Sequence, residues 1–207
     1  MSRFVVRAGA SLADDPDGAR AAARRAVAGA QLVGPDQEVV RRRVLDAIED
    51  QADVLVRTDR PGHLTGSALV VDPVDGRVLV VFHRKLQRWL QPGGHADGDG
   101  VLARVAWREA TEETGIDGLR VVTPAVHLDV HEVRPPAEDA HLHLDLRYVV
   151  LAPPGALAVG NHESEAVRWV APTELPALGA DDGLLALADR AAAVLAELAD
   201  GEVSRGR

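Results

Sequence analysis

The chain has no cysteine among its 207 residues. That excludes disulfides, thiolate metal sites and a cysteine nucleophile, and it suits a reducing cytoplasm. Aromatic residues are scarce, at 3%, so valine, leucine and alanine must fill the core. Basic residues are outnumbered, 23 Lys and Arg against 32 Asp and Glu, for a net charge of −9. Such a balance argues against a nucleic-acid polymer as partner, because phosphate backbones select basic surfaces. It does not argue against a small phosphorylated substrate, because a bound cation inverts the local field. No apolar run is long enough to span a membrane, MSRFVVRAGASLADDP has no signal-peptide core, and no internal repeat is visible. The expected location is the cytoplasm, with no membrane partner; a homodimer is left open. What is present, 46% apolar and 27% charged residues, is ordinary for one globular domain with a sizeable core.

The chain is organised around Gly93–Ile116, GGHADGDGVLARVAWREATEETGI. Its periodicity predicts a helix over Val101–Thr114. Glu109, Glu112 and Glu113 then stand at i, i+3 and i+4 on one face. They also lie in the last turns, at the negative end of the helix dipole. Both placements cost stability. A solvated acidic face, eased by Arg108 reaching Glu112, is one account. The other is a set of carboxylates collecting a hard divalent cation, as Mg²⁺ is commonly held beside substrate phosphates. The glycines before the helix favour the second: they let backbone approach a ligand and would leave N–H groups free at a helix N-terminus.

These residues resemble the Nudix hydrolases. That motif runs Gly, five residues, Glu, seven residues, Arg-Glu, an apolar residue, any residue, Glu-Glu, any residue, Gly, an apolar residue. Gly94, Arg108, Glu109, Ala110, Glu112, Glu113, Gly115 and Ile116 fit it, and Gly100 stands where the first Glu belongs. The resemblance implies an α/β class, a Nudix-type α/β/α sandwich with a mixed sheet. It implies a metal-dependent hydrolase that cleaves a phosphoanhydride in a small-molecule diphosphate, a nucleoside diphosphate linked to another moiety. Mg²⁺ or Mn²⁺ would be held by Glu109, Glu112 and Glu113 with the Gly94 carbonyl. Glu109, Arg108 and Glu112 would carry catalysis, Glu109 as base or as the ligand presenting water and Arg108 as its orienter. A further carboxylate is expected before the Trp169 strand, Glu163 first and Glu165 in reserve. Asp97 or Asp99 could cap the helix or replace the missing carboxylate. Arg84, Lys85 and Arg88, just before the glycines, are candidate substrate-phosphate ligands. Gly100 also admits a non-catalytic nucleotide- or diphosphate-binding regulatory module on the same fold.

Along the chain, residues 1–58 read as an N-terminal helical extension, 59–200 as the Nudix domain and 201–207 as a flexible tail. Within the extension, residues 1–15 are loose or an edge segment. Gly18–Ala30 is a helix capped by Asp17, and Pro35–Gln51 a helix capped by Asp36 with Val40, Val44, Leu45 and Ile48 as its apolar stripe. Strands are expected at His63–Val71 and Val78–Arg84 around the turn Asp72–Gly76, then at Leu119–Val122, Val126–Val133, His141–Leu151 and Glu165–Val170. Arg134–Ala140 is a hairpin loop, and Leu184–Leu198 a covering helix after Thr173 or Asp181 as cap.

The chain holds 8 histidines. His127, His131 and His162 read as surface or hydrogen-bonded residues. His141, His143 and Asp145 alternate on one strand, so they share a face about 7 Å apart; that face is either solvated or a ligand site. A second resemblance, to isopentenyl diphosphate isomerase, a remote relative of the same fold, bears on it. That enzyme holds a metal with three histidines and two glutamates. His63 and His95 match two of the histidines by motif, and His141 and His143 fall at the glutamates. The four are therefore a candidate second metal or phosphate cluster, with Zn²⁺ or Mn²⁺ as a second ion. Isomerase-like activity is the weaker reading, because Gly93 stands at that enzyme's cysteine.

Overall fold

The computed structural model describes residues 3–134 and 139–205. One 8-stranded sheet runs through it, ordered β1(Val5–Ala8), β6(Arg120–Val133), β7(His141–Leu151), β2(Gly62–Val71), β3(Val78–His83), β4(Arg88–Leu90). β5(Gly93–His95) adds to β2, and β8(Ser164–Val170) adds to β3. β2 and β7 are parallel and the other pairs antiparallel, so the sheet is mixed. β2 is buried from end to end, as a central strand covered on both faces must be.

Alternation along β2 sorts its side chains between two helical layers. Leu64, Ala68 and Val70 pack with α1(Ala19–Gly29), α2(Pro35–Asp50) and α3(Leu102–Thr114) through Val27, Val44, Ile48, Leu102 and Val105. Leu69 and Val71 face α4(Asp182–Arg205) through Leu184, Leu187 and Val194. This is the α/β/α sandwich the sequence implies, with the N-terminal helices present. Those helices share the core with α3, and β1 pairs with β6.

Several local expectations change. Leu119–Val122 and Val126–Val133 are one strand, β6, whose pairing with β7 shifts between Val122 and His127. The caps of α1 and α2 are Gly18 and Gly34 rather than Asp17 and Asp36; Pro35 opens α2 at a position whose missing N–H costs nothing. Asp181 does cap α4, accepting from the Leu184 N–H at 2.9 Å. α4 runs on into the expected tail, of which residues 206 and 207 lie outside the described residues, as do 135–138 of the expected hairpin loop. The glycines are not at a helix N-terminus. Gly93–His95 hydrogen-bonds to β2 as β5, and α3 begins only at Leu102.

Candidate active site

α3 is helical because Leu102, Val105, Ala106 and Ala110 form a buried stripe at helical spacing. That stripe continues into Glu109 and Glu113, so two carboxylates take positions that point inward. Glu113 is 5% exposed, while Glu112 stands exposed beside them. Gly115, with φ 62°, ends the helix in the left-handed conformation that favours glycine.

Burial disfavours the charged form of each inward carboxylate. Glu113 is pushed up to about 8 by burial, against a 2.9 Å hydrogen bond donated by the Gly93 N–H, with the charges of Glu109, Glu163 and Glu112 adding to the rise. Glu109 is also raised, chiefly by burial, against the pull of Arg108. Arg108 Nη2 donates to Glu109 Oε1 at 2.8 Å and to the His95 carbonyl at 3.1 Å. Arg108 thus pairs with Glu109, the partner the Nudix resemblance implies, and not with Glu112 as a solvated acidic face would have it. A Cβ on Gly94 would run into the Glu109 carboxylate, which is why glycine stands there. The acidic side chains of this face offer only oxygens, the donor type of a hard cation such as Mg²⁺ or Mn²⁺, although among the described residues their oxygens do not draw together as closely as the ring nitrogens of His63, His95 and His143.

The remaining expected residues divide. Glu163 is near enough for its charge to raise both Glu109 and Glu113. Glu165 turns away to Gln87, 3.1 Å from its Nε2. Asp99 accepts the Val101 N–H at 2.8 Å and pairs with Arg104 at 2.7 Å, so its carboxylate serves the helix start, and Asp97 is exposed. Gly100 is buried under α1, and a Cβ there would overlap the Ala19 carbonyl. The N-terminal helices thus occupy the space that a side chain at that position needs. Arg84, Lys85 and Arg88 are exposed; Arg88 is 3.2 Å from Asp181, and the Arg84 N–H bonds the Glu163 carbonyl at 2.9 Å.

On the opposite face of β5 the polar side chains of β2, β6 and β7 form a second cluster. His63 pairs with His143, and Thr65 with both His95 and Asp145, which brings the four expected histidines together. Ring centroids of His95, His141 and His143 lie 5.0, 4.9 and 5.1 Å from that of His63. His131 joins them, 5.5 Å from His143, whereas His127 bonds toward Gln37 and His162 is exposed. This face is not a solvated one: His63, His141, Asp145 and Arg147 are all at most 3% exposed. Burial, with the neighbouring imidazoles, lowers His63 to about 4 and His143 to about 3. Neither ring nitrogen of His63 meets hydrogen-bond geometry with another described residue, although the Asp59 backbone lies near enough to oppose part of the lowering.

Sequence reasoning missed the network beneath the histidines. Thr65 and Ser67 hydroxyls donate to Asp145 at 2.9 Å, and Arg147 links Asp145 at 2.8 Å to Asp129 at 2.6 Å. Asp129, half-buried, is held down to about 2 by His131 and Arg147 against the opposing effect of burial. The signal available was the alternation itself, which sets Asp129, His131, Asp145 and Arg147 on the polar faces of adjacent strands.

A family model described as NUDIX domain matches residues 63–190. Among solved structures, a C. elegans Ap4A hydrolase in a binary complex aligns with a TM-score of 0.52 and 16% identity, over 64% of this chain and 97% of that one. The E. coli dihydroneopterin triphosphate pyrophosphohydrolase aligns with a TM-score of 0.52 and 17% identity, over 63% and 94%. RenU, a Nudix hydrolase from M. Smegmatis, aligns with a TM-score of 0.49 and 24% identity, over 65% and 86%. At these identities the likeness is one of fold. No curated protein matches the sequence.

Proposed function

The chain belongs to the NUDIX domain family and carries the fold and acidic box of the Nudix pyrophosphohydrolases, and from that premise we propose a divalent-metal-dependent enzyme. Its reaction is hydrolysis of a phosphoanhydride bond in a nucleoside diphosphate linked to another moiety. The observation that carries this reading is the inward pair Glu109 and Glu113, two carboxylates raised by burial and repulsion with Glu112 and Glu163 close by. Carboxylates crowded in this way are at odds with themselves until positive charge arrives.

Glu112, Glu113 and Glu163 are proposed to hold Mg²⁺ or Mn²⁺ with the Gly94 carbonyl. A cation bound there supplies charge neutralisation on the phosphate oxygens and a lowered pKa for water. Glu109 accepts the proton as water attacks phosphorus. One P–O bond forms, the bridging P–O bond breaks, and the second phosphate leaves with the electron pair. Glu109 suits this role because its raised pKa brings it toward neutrality and Arg108 fixes its carboxylate. Positioning and charge stabilisation carry most phosphoryl transfer, so no nucleophilic side chain is needed. Exposed Arg84 and Lys85 are proposed to meet the distal phosphate.

Gly100 favours a second reading, a binding module without turnover. The opposite end of the box is intact, however, and the space lost at Gly100 is taken by α1. One experiment separates the two. The chain is incubated with Mg²⁺, Mn²⁺ or Zn²⁺ and a panel of ADP-ribose, nucleotide sugars, Ap4A and nucleoside triphosphates, and released phosphate or nucleoside monophosphate is measured. Metal-dependent release from at least one compound is expected. Binding of a panel member with no release by folded, metal-loaded protein would establish the module instead. Among the described residues no helix is long and apolar enough to cross a membrane.

A further inference from the structure

The histidine cluster is chemically unlike the carboxylate box, and it has no part in the hydrolysis proposed above. His63, His95 and His143 each present a ring nitrogen, and these nitrogens all lie within 4.8 Å of one another. They come from β2, β5 and β7, which hydrogen-bond side by side, so backbone pairing rather than side-chain chance holds them together. The rings are tilted by 47°, 53° and 88° to one another, so none of these pairs lies parallel. His63 is 1% exposed, and neither of its nitrogens meets hydrogen-bond geometry with another described residue, the Asp59 backbone only lying near enough to act on it. Most buried side-chain polar atoms are paired.

We propose that His63, His95 and His143 form a second divalent-metal site, selective for a borderline cation such as Zn²⁺. Imidazole nitrogens suit Zn²⁺, Co²⁺ and Ni²⁺, whereas Mg²⁺ takes oxygen ligands. His141 stands beside these three, its ring 4.9 Å from that of His63 and its Nδ1 turned to the Asp139 carbonyl at 2.8 Å, so it is a neighbour of the site rather than one of its converging ligands. Successive residues of a strand point to opposite faces, so His95 addresses this site while Gly94 addresses Glu109.

The test is metal binding alone, so it can fail or succeed independently of the hydrolase. The full chain is stripped with a chelator and titrated with Co²⁺, followed by its visible absorption, then with competing Zn²⁺. One Co²⁺ per chain with the bands of a nitrogen-ligated, low-coordinate ion is expected, over and above any ion taken up by the carboxylate box. The Glu112→Gln/Glu113→Gln variant should bind that ion as the wild type does. His95→Asn and His143→Asn, both at partly exposed positions, should each weaken it by at least about 10-fold, with circular dichroism unchanged. Should either variant misfold, histidine ring ¹⁵N shifts of the wild type on adding Zn²⁺ replace it. Movement of the His63, His95 and His143 signals supports the site, and unmoved signals overturn it. Absence of the ion from the glutamine variant, or undiminished binding in both asparagine variants, also overturns it.

Discussion

The acidic end of α3 and the histidine-lined face beyond β5 bury like groups together, with opposite protonic results. In the first, burial and repulsion hold carboxylates toward the neutral acid, Glu113 up to about 8. In the second, burial and neighbouring rings hold imidazoles toward the neutral base, His63 down to about 4. Both clusters suit a cation, but on different terms. A cation entering the box must displace a proton, so its affinity rises with pH until about 8. A cation beside His63 and His143 meets imidazoles that burial already holds toward the neutral base. Burial alone therefore does not select the metal; the donor atom does.

The largest effect that could break this contrast is on turnover. Glu112→Gln and Glu113→Gln should each lower kcat roughly 10²–10⁴-fold, the range of a lost charge or proton-transfer group, with circular dichroism unchanged. Near wild-type rates in both would remove these carboxylates from the reaction. Gly94→Ala comes next. Its methyl group displaces Glu109, and a misplacement of about 1 Å can cost on the order of 10²-fold. Full activity in steady-state kinetics would mean that Glu109 need not sit against β5.

Smaller effects read out as stability. Gly100→Glu restores the motif residue yet should lower Tm without raising kcat, because overpacking against Ala19 costs about 1–3 kcal/mol. A gain in rate would show that α1 yields and that the absent carboxylate matters. The smallest effect is a pH-dependent one in metal-free protein. Glu113 has a folded pKa above its unfolded value, so its stabilising contribution is complete below about 4.5 and lost as pH rises through about 8. Glu113→Gln should therefore gain a few degrees of Tm over wild type, the gap widening from pH 4.5 to 9. Measuring the difference removes the buried histidines, which act oppositely: folded values near 4 lower stability as pH falls below 6.5. Parallel curves would show Glu113 relieved of strain by other means.

The box was legible because its chemistry lies in one contiguous stretch, where helical spacing fixes which side chains share a face. Period-two alternation likewise placed His141, His143 and Asp145 together. What was not legible is non-local. Alternation names a polar face but not whether it is covered, so the burial of Asp145 and Arg147 was invisible. Pairing across strands brought Thr65, Ser67, Asp129 and His131 to one network, and no local pattern specifies which strands adjoin. Gly93–His95 looked like a loop because three residues carry too little pattern to declare a strand. Gly100 looked like a defect in the motif until α1 was seen lying across it.

The most direct measurement is Mn²⁺ binding followed by electron paramagnetic resonance at pH 8, comparing wild type with the Glu109→Gln/Glu112→Gln/Glu113→Gln variant. The account predicts one bound Mn²⁺ in the wild type that the variant loses, while both proteins stay folded. Equal Mn²⁺ affinity in the two, or no bound Mn²⁺ in the wild type, would contradict it.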